Sequence, residues 1–168
     1  MDDATSSDTT PGSDGARETG TPGDTPGADP RADRGPKVAA ELTRTLSAFG
    51  VASVVGGALL AVASQHPTRR AFGQQSAMWG AINLAIAGVG ARRGRSHPAE
   101  ASRLRRTLLV NATLDVGYLA TGAHMAYHGS TFRGRVSPEA ARGHGLAVVV
   151  QASGLMKLDL YYAWRLRD

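Results

Sequence analysis

Four stretches of this chain are apolar for the length of a long helix, and short arginine-bearing segments separate them. From Thr45 to Thr68 there is no Asp, Glu, Lys or Arg in 24 residues, and from Ala71 to Ala91 there is none in 21. Leu108 to Tyr127, LLVNATLDVGYLATGAHMAY, carries a single carboxylate, Asp115. The last stretch, from Gly145 to Trp164, carries Gln151, Lys157 and Asp159 and closes on Tyr161, Tyr162, Trp164 and Arg165. A helix of roughly 20 apolar residues crosses the hydrocarbon of a bilayer. The pattern therefore predicts membrane helices over about 46–64, 75–91, 107–127 and 145–165. Aromatic and basic residues at the end of the fourth match the composition of a membrane interface.

The second stretch decides between lipid and water. Gln75, Trp79 and Asn83 share one face at helical spacing, while the other faces are Ala, Ile, Leu, Met and Val. A helix apolar nearly all round sits in lipid or deep inside a large protein, and a chain of 168 residues offers no such deep interior. A soluble bundle that oligomerises would need a polar face on every helix, which this one lacks. The first stretch is rich in small residues. Ala48, Ala52 and Gly56 form one ridge, and Ser53, Gly57 and Ala61 form another. Such ridges let helix backbones approach closely in lipid. Ala61-Val62-Ala63 resembles a signal-peptidase site, but the leader it implies, about 60 residues, is far longer than such leaders run.

Composition divides the chain in two. Residues 1–36 hold eight acids and three arginines among Thr, Pro, Gly and Ser, with no apolar period. Such a segment cannot bury enough surface to offset its ordering entropy, so it is expected to be a disordered acidic tail. Residues 37–168 hold sixteen basic residues and six acids and form the four-helix membrane domain. The mean hydropathy of −0.20 averages these two unlike parts. There is no cysteine, which excludes disulfides and thiolate chemistry.

The arginines also set an orientation. An even number of spans puts both termini and the loop between the second and third helices on one side. That loop carries Arg92, Arg93, Arg95, Arg103, Arg105 and Arg106, and the opposite side carries fewer basic residues. Positive charge collects on the cytoplasmic side, so termini and middle loop are expected to be cytoplasmic. The same loop is a contact for anionic lipid. It lacks interleaved aromatics and a groove-reading helix, so nucleic acid is not expected as a partner.

Polar groups inside the apolar stretches are the candidate site. Asn111, Asp115, Tyr118 and Gly122 recur on one side of the third helix. Asn83, Asn111, Asp115, Gln151, Lys157 and Asp159 make up the intramembrane polar cluster, with Asn83, Asp115, Lys157 and Asp159 at similar depth below the cytoplasmic arginines. Unpaired polar groups are expensive there, so an Asp115–Lys157 pair is expected, or Asp115 with Asn83 or Gln151. The cluster reads first as glue that fixes helix register, and second as a proton or ion relay or a pocket for a polar headgroup. Four of the five histidines, His66, His124, His128 and His144, fall toward the outer end, and His124 and His128 stand one turn apart. They are the candidate metal ligands, without cysteine or a carboxylate set to support them. No phosphate-cradling loop follows a strand and no nucleophile context is present, so neither an enzyme nor a cofactor is expected.

The halves resemble each other. Val54-Val55-Gly56-Gly57-Ala58 is similar to Tyr118-Leu119-Ala120-Thr121-Gly122-Ala123, and each is followed by a loop, a second helix and arginine. This suggests a duplicated helical hairpin. The segments MWGAINLAIAGVG, LLVNATLDVGY and QASGLMKLDLYYAWRL also resemble those of small bacterial four-transmembrane-helix proteins of unknown function. The shared residues are Trp79, Gly80 and Asn83; Asn111 and Asp115; and Gln151 and Asp159. The resemblance covers residues 45–166. It implies an all-α, antiparallel four-helix transmembrane bundle in the bacterial inner membrane and carries no activity with it. The expected protein is thus a non-enzymatic membrane component, alone, as an oligomer or in a larger complex. A small transporter or proton-coupled channel using Asp115 is the alternative.

Overall fold

The computed structural model describes residues 33–129 and 134–167, all of them in helices and short connections. The acidic segment at 1–32 lies outside the described residues. Four helices follow in order: α1 Arg34–Ala63, α2 Pro67–Ser96, α3 Ala101–His128 and α4 Pro138–Arg165. They hold 30, 30, 28 and 28 residues. At 1.5 Å per residue each is roughly 42–45 Å long, more than a hydrocarbon core. Of the four, α1 is both long and apolar enough to cross a membrane. The others match in length, but their inward glycines, serines and amides dilute their apolar character.

The boundaries follow local chemistry. Pro67 and Pro138 open α2 and α4, where a missing N–H costs nothing. His66 and Ser137 cap those ends by accepting from the N–H groups of Thr68 and Ala140. Gly129 closes α3 in the left-handed region at φ 59°, and its N–H donates to the Met125 carbonyl. The first helix begins at Arg34, a dozen residues before the expected apolar span. The cause is a cluster of large side chains at this end: Val38, Leu108, Tyr162, Ala163 and Leu166, flanked by Leu42, Leu104 and Leu158. Burying Val38 holds the charged lead-in helical, so the expected tail loses its last residues to α1.

Elsewhere the helices meet through small residues. α1 packs along α2 and α3 along α4, and the contact of α2 with α4 joins the two hairpins. Gly50 lies against Gly80 and Gly57 against Gly73, so numbers fall along α2 as they rise along α1. A side-chain carbon at Gly57 would stand 2.6 Å from the Ala77 nitrogen, which leaves room for hydrogen alone. Gly122 meets the Gly145 carbonyl in the second hairpin in the same way. Of the two small ridges on α1, Ser53-Gly57-Ala61 is the one that packs; Ala48, Ala52 and Gly56 are exposed.

Large apolar side chains sit outside. Val51, Val55, Leu59 and Val62 on α1 are exposed, as are Met78, Ile82 and Ile86 on α2. So are Leu114 and Val116 on α3 and Leu146, Val150 and Leu160 on α4. Val62 is 84% exposed, while Asn83 is 1% exposed. This is the reverse of the arrangement that water imposes.

Candidate functional site, a buried polar seam

The stripe that each helix turns inward carries the polar groups. On α2 it runs Gly73, Ser76, Gly80, Asn83 and Ala87, in steps of three and four. On α3 it runs Leu108, Ala112, Asp115 and Gly122. α4 contributes Gly145, Ala147, Gln151, Ala152 and Tyr162. Ser53, Ser76, Asn83, Asp115 and Gln151 are all buried.

Cross-helix hydrogen bonds converge on α4. The Gln151 Nε2 donates to Ser53 Oγ at 3.0 Å. Tyr162 OH and Thr45 Oγ1 lie 2.8 Å apart. Arg165 Nη1 donates to Glu41 Oε2, and this pair holds the Glu41 carboxyl below its ordinary value through the hydrogen bond and the guanidinium charge. At the other end, His144 Nδ1 is 3.1 Å from Gln75 Oε1. From His144 to Arg165 this row follows α4 for roughly 32 Å, about the thickness of a hydrocarbon core.

Asp115 occupies a different position from the one expected. It is 5% exposed, and its Oδ2 has no hydrogen-bond partner among the described residues. Lys157 is exposed and does not reach it. Six residues separate Lys157 from Gln151, a rotation of about 240° around α4, which turns the ammonium away from the seam. Asn111 is also exposed. It precedes Ala112 of the buried stripe by one residue, about 100° around the helix. Asp159 is half-buried and lies in the neighbourhood of Asp115. The cluster thus keeps Asn83, Asp115 and Gln151 in its interior, places Asp159 at its edge, and loses Asn111 and Lys157 to the surface.

Other buried polar atoms are unpartnered too. Ser76 Oγ, Trp79 Nε1 and Asn83 Nδ2 have no hydrogen-bond partner among the described residues. Trp79 instead lays its ring edge-on to Tyr118 of α3, with centroids 5.3 Å apart. All three belong to α2.

The histidines do not converge. His66 serves as the cap of α2, and His144 is engaged with Gln75. His124 and His128 stack with ring centroids 4.5 Å apart. Among the described residues no three His, Cys, Asp or Glu side chains are placed to hold a metal ion.

Several seam residues escaped the sequence reading. Ser53 stood out for its size rather than its hydroxyl. Thr45, Glu41 and Tyr162 fall at the margins of the apolar stretches, where polar residues are ordinary. The available signal was their spacing: Tyr162 and Arg165 lie on the face of α4 that Gln151 and Leu158 define.

The chain matches the model of DUF6992, a family of unknown function, over residues 45–160, and it belongs to that family. The match takes in both hairpins and stops short of the Arg34–Arg44 lead-in and the end of α4. No curated protein and no solved structure matches the chain.

Proposed function

We propose that this member of a family without an assigned activity is an integral, multi-pass membrane protein. Its four helices form an antiparallel bundle, and its polar seam holds the two hairpins in register. One observation carries the reading: beyond the Val38–Leu108–Tyr162 cluster at one end, small and polar side chains face inward while many large apolar ones face outward on the four helices. In water, exposing Val, Leu and Ile in this number is unfavourable by about 25 cal/mol for each Å². In lipid it is the favoured arrangement, and glycine contacts supply the close backbone packing that replaces a hydrophobic core. The role is structural, in an oligomer or a larger complex, and no enzyme chemistry is assigned. The bacterial inner membrane is the compartment. Both termini and the Arg92–Arg106 loop are cytoplasmic and face anionic lipid; nucleic acid is not a partner.

The test uses the absence of native cysteine. Gln65→Cys, in the connection between α1 and α2, is expected to react with an impermeant maleimide on intact cells. Ser96→Cys is expected to react only after the membrane is opened. Both sites lie in exposed connections or helix ends. Release of the protein by alkaline carbonate would overturn membrane integration, and labelling of Ser96→Cys on intact cells would reverse the orientation.

A second reading is favoured by the unpartnered Asp115 carboxylate beside Asp159. An acid inside a bundle with no cation against it is suited to carrying a proton. Proton flux into liposomes that disappears in Asp115→Asn, with stability kept, would establish transport over glue.

A further inference from the structure

A cavity lies away from the seam, where α1 begins and α4 ends. It has a volume of about 470 Å³ and is lined by Arg34, Val38, Trp164, Arg165 and Arg167. Three of five lining residues are arginines, and none is a carboxylate. Their charges are not equally committed. Arg165 is held by Glu41 and lies over the Tyr161 and Tyr162 rings at 5.9 and 5.8 Å. Arg34 donates through Nη1 to the Arg167 backbone carbonyl at 2.9 Å, which ties the two helix ends together without neutralising either guanidinium. Among the described residues neither Arg34 nor Arg167 meets a carboxylate, because Asp33 pairs with Lys37 and Glu41 with Arg165.

The walls are amphipathic. Val38 forms the apolar floor and belongs to the cluster of large buried side chains at this end. Trp164 is largely exposed at the rim, next to the tyrosines. A guanidinium offers a planar fork of donors that matches phosphate oxygens, and an indole at a membrane interface settles at headgroup depth. A cavity of this size holds a small polar group rather than a whole lipid.

We propose that this cavity binds the phosphate-bearing headgroup of an anionic phospholipid, with Arg34 and Arg167 as its ligands and Trp164 beside the glycerol. None of its lining residues belongs to the basic middle loop, whose Ala99 packs against the neighbouring Gly35, and the site rests on the membrane reading given above. It fixes the start of α1 to the end of α4 at the bilayer surface. The occupant supplies a negative charge that no described residue gives the two arginines. A zwitterionic choline headgroup carries its cation toward the same arginines and is disfavoured.

The experiment is native mass spectrometry of the full-length protein in detergent, with dioleoyl phosphatidylglycerol, dioleoyl phosphatidylcholine and inorganic phosphate as separate probes. One bound phosphatidylglycerol with about tenfold preference over phosphatidylcholine is expected, and about tenfold loss in Arg34→Gln/Arg167→Gln. Arg69→Gln/Arg70→Gln, at the other end of the bundle, is expected to bind as the unmodified chain does. Should the first double variant misfold, raising salt on the unmodified protein replaces it, and retention must fall between 0.15 M and 1 M. Unchanged retention in the variant or in high salt overturns the site. Binding of inorganic phosphate without lipid overturns the lipid as its source. Carbonate extraction of the same membranes separates the two readings. A protein that carbonate releases defeats the membrane reading, whereas one that stays and keeps its lipid in the double variant defeats only the headgroup site.

Discussion

The two hairpins are built alike and filled differently. Gly57 lies six residues before the end of α1, and Gly122 lies six before the end of α3. Gly73 and Gly145 stand six and seven residues into α2 and α4, and each receives the glycine of its partner helix. Both second helices open on proline after a side-chain cap. The 65-residue shift that lays Gly57 on Gly122 also lays Gly50 on Asp115. In the first hairpin that position is a second close crossing, against Gly80. In the second it is a buried acid. The difference teaches that one backbone frame can spend the same position on packing or on chemistry. The first hairpin is a zipper of small residues, and the second carries every ionisable group near the bundle centre.

The zipper gives the largest effect. Gly57→Leu would drive a side chain into the α2 backbone, where the first carbon already meets Ala77 N and Gly73 O at 2.6 Å. Nothing flexible can yield, so a loss of about 3 kcal/mol is expected. Gly56→Leu, one residue away, meets nothing within 4 Å and should leave stability unchanged. Thermal unfolding in detergent compares the two. A small effect at Gly57 would mean that the close crossing does not form in the folded protein.

The buried acid should behave in the opposite way. Had Lys157 paired with Asp115, removing the carboxylate would leave a charge stranded and cost several kcal/mol. With Oδ2 unpartnered, Asp115→Asn instead removes a buried ionisable group that no described residue holds. A gain of about 1 kcal/mol is expected from the same thermal assay. A loss would show that Asp115 has a partner in the folded protein. The link between hairpins follows in size. Gln151→Ala leaves Ser53 Oγ without its 3.0 Å donor and should cost about 1 kcal/mol.

Four helices were legible because unbroken apolar runs and the prolines and glycines between them are local signals. The inward face of α2 was legible in part: of Gln75, Trp79 and Asn83, read as one face from their spacing, Asn83 is buried while Gln75 and Trp79 lie half-buried at its edge. Partners were not legible. Lys157 and Asp115 share a depth, but depth says nothing of rotation about the helix, and six residues turn Lys157 outward. Histidine clustering failed for a related reason: spacing along one helix fixes His124 against His128, while approach to His66 and His144 depends on how the hairpins dock. The importance of α4 was hidden because its polar residues lower its hydropathy, which made it read as the weakest span rather than the hub.

The smallest effect concerns the ion pair at the bundle end, which joins α1 of the first hairpin to α4 of the second. Hydrogen bonding to Arg165 lowers the Glu41 carboxyl from its ordinary value of 4.5. A carboxyl whose folded value is depressed stabilises the fold fully above its unfolded value. That contribution is lost as pH falls through the lower, folded value. The pair is partly exposed, so it is screened by salt and modest in worth. Thermal midpoints are expected to be flat at neutral pH and to decline below about 4.5 as Glu41 takes up its proton. Glu41→Gln should remove that part of the decline and leave the neutral-pH midpoint slightly lower. From Thr45 to Thr68 the first hairpin has no carboxylate, so Glu41 is the one acid group of α1. If Glu41→Gln keeps the full acid decline, the pH response belongs to the second hairpin's own carboxylates, and the contrast between the hairpins sharpens.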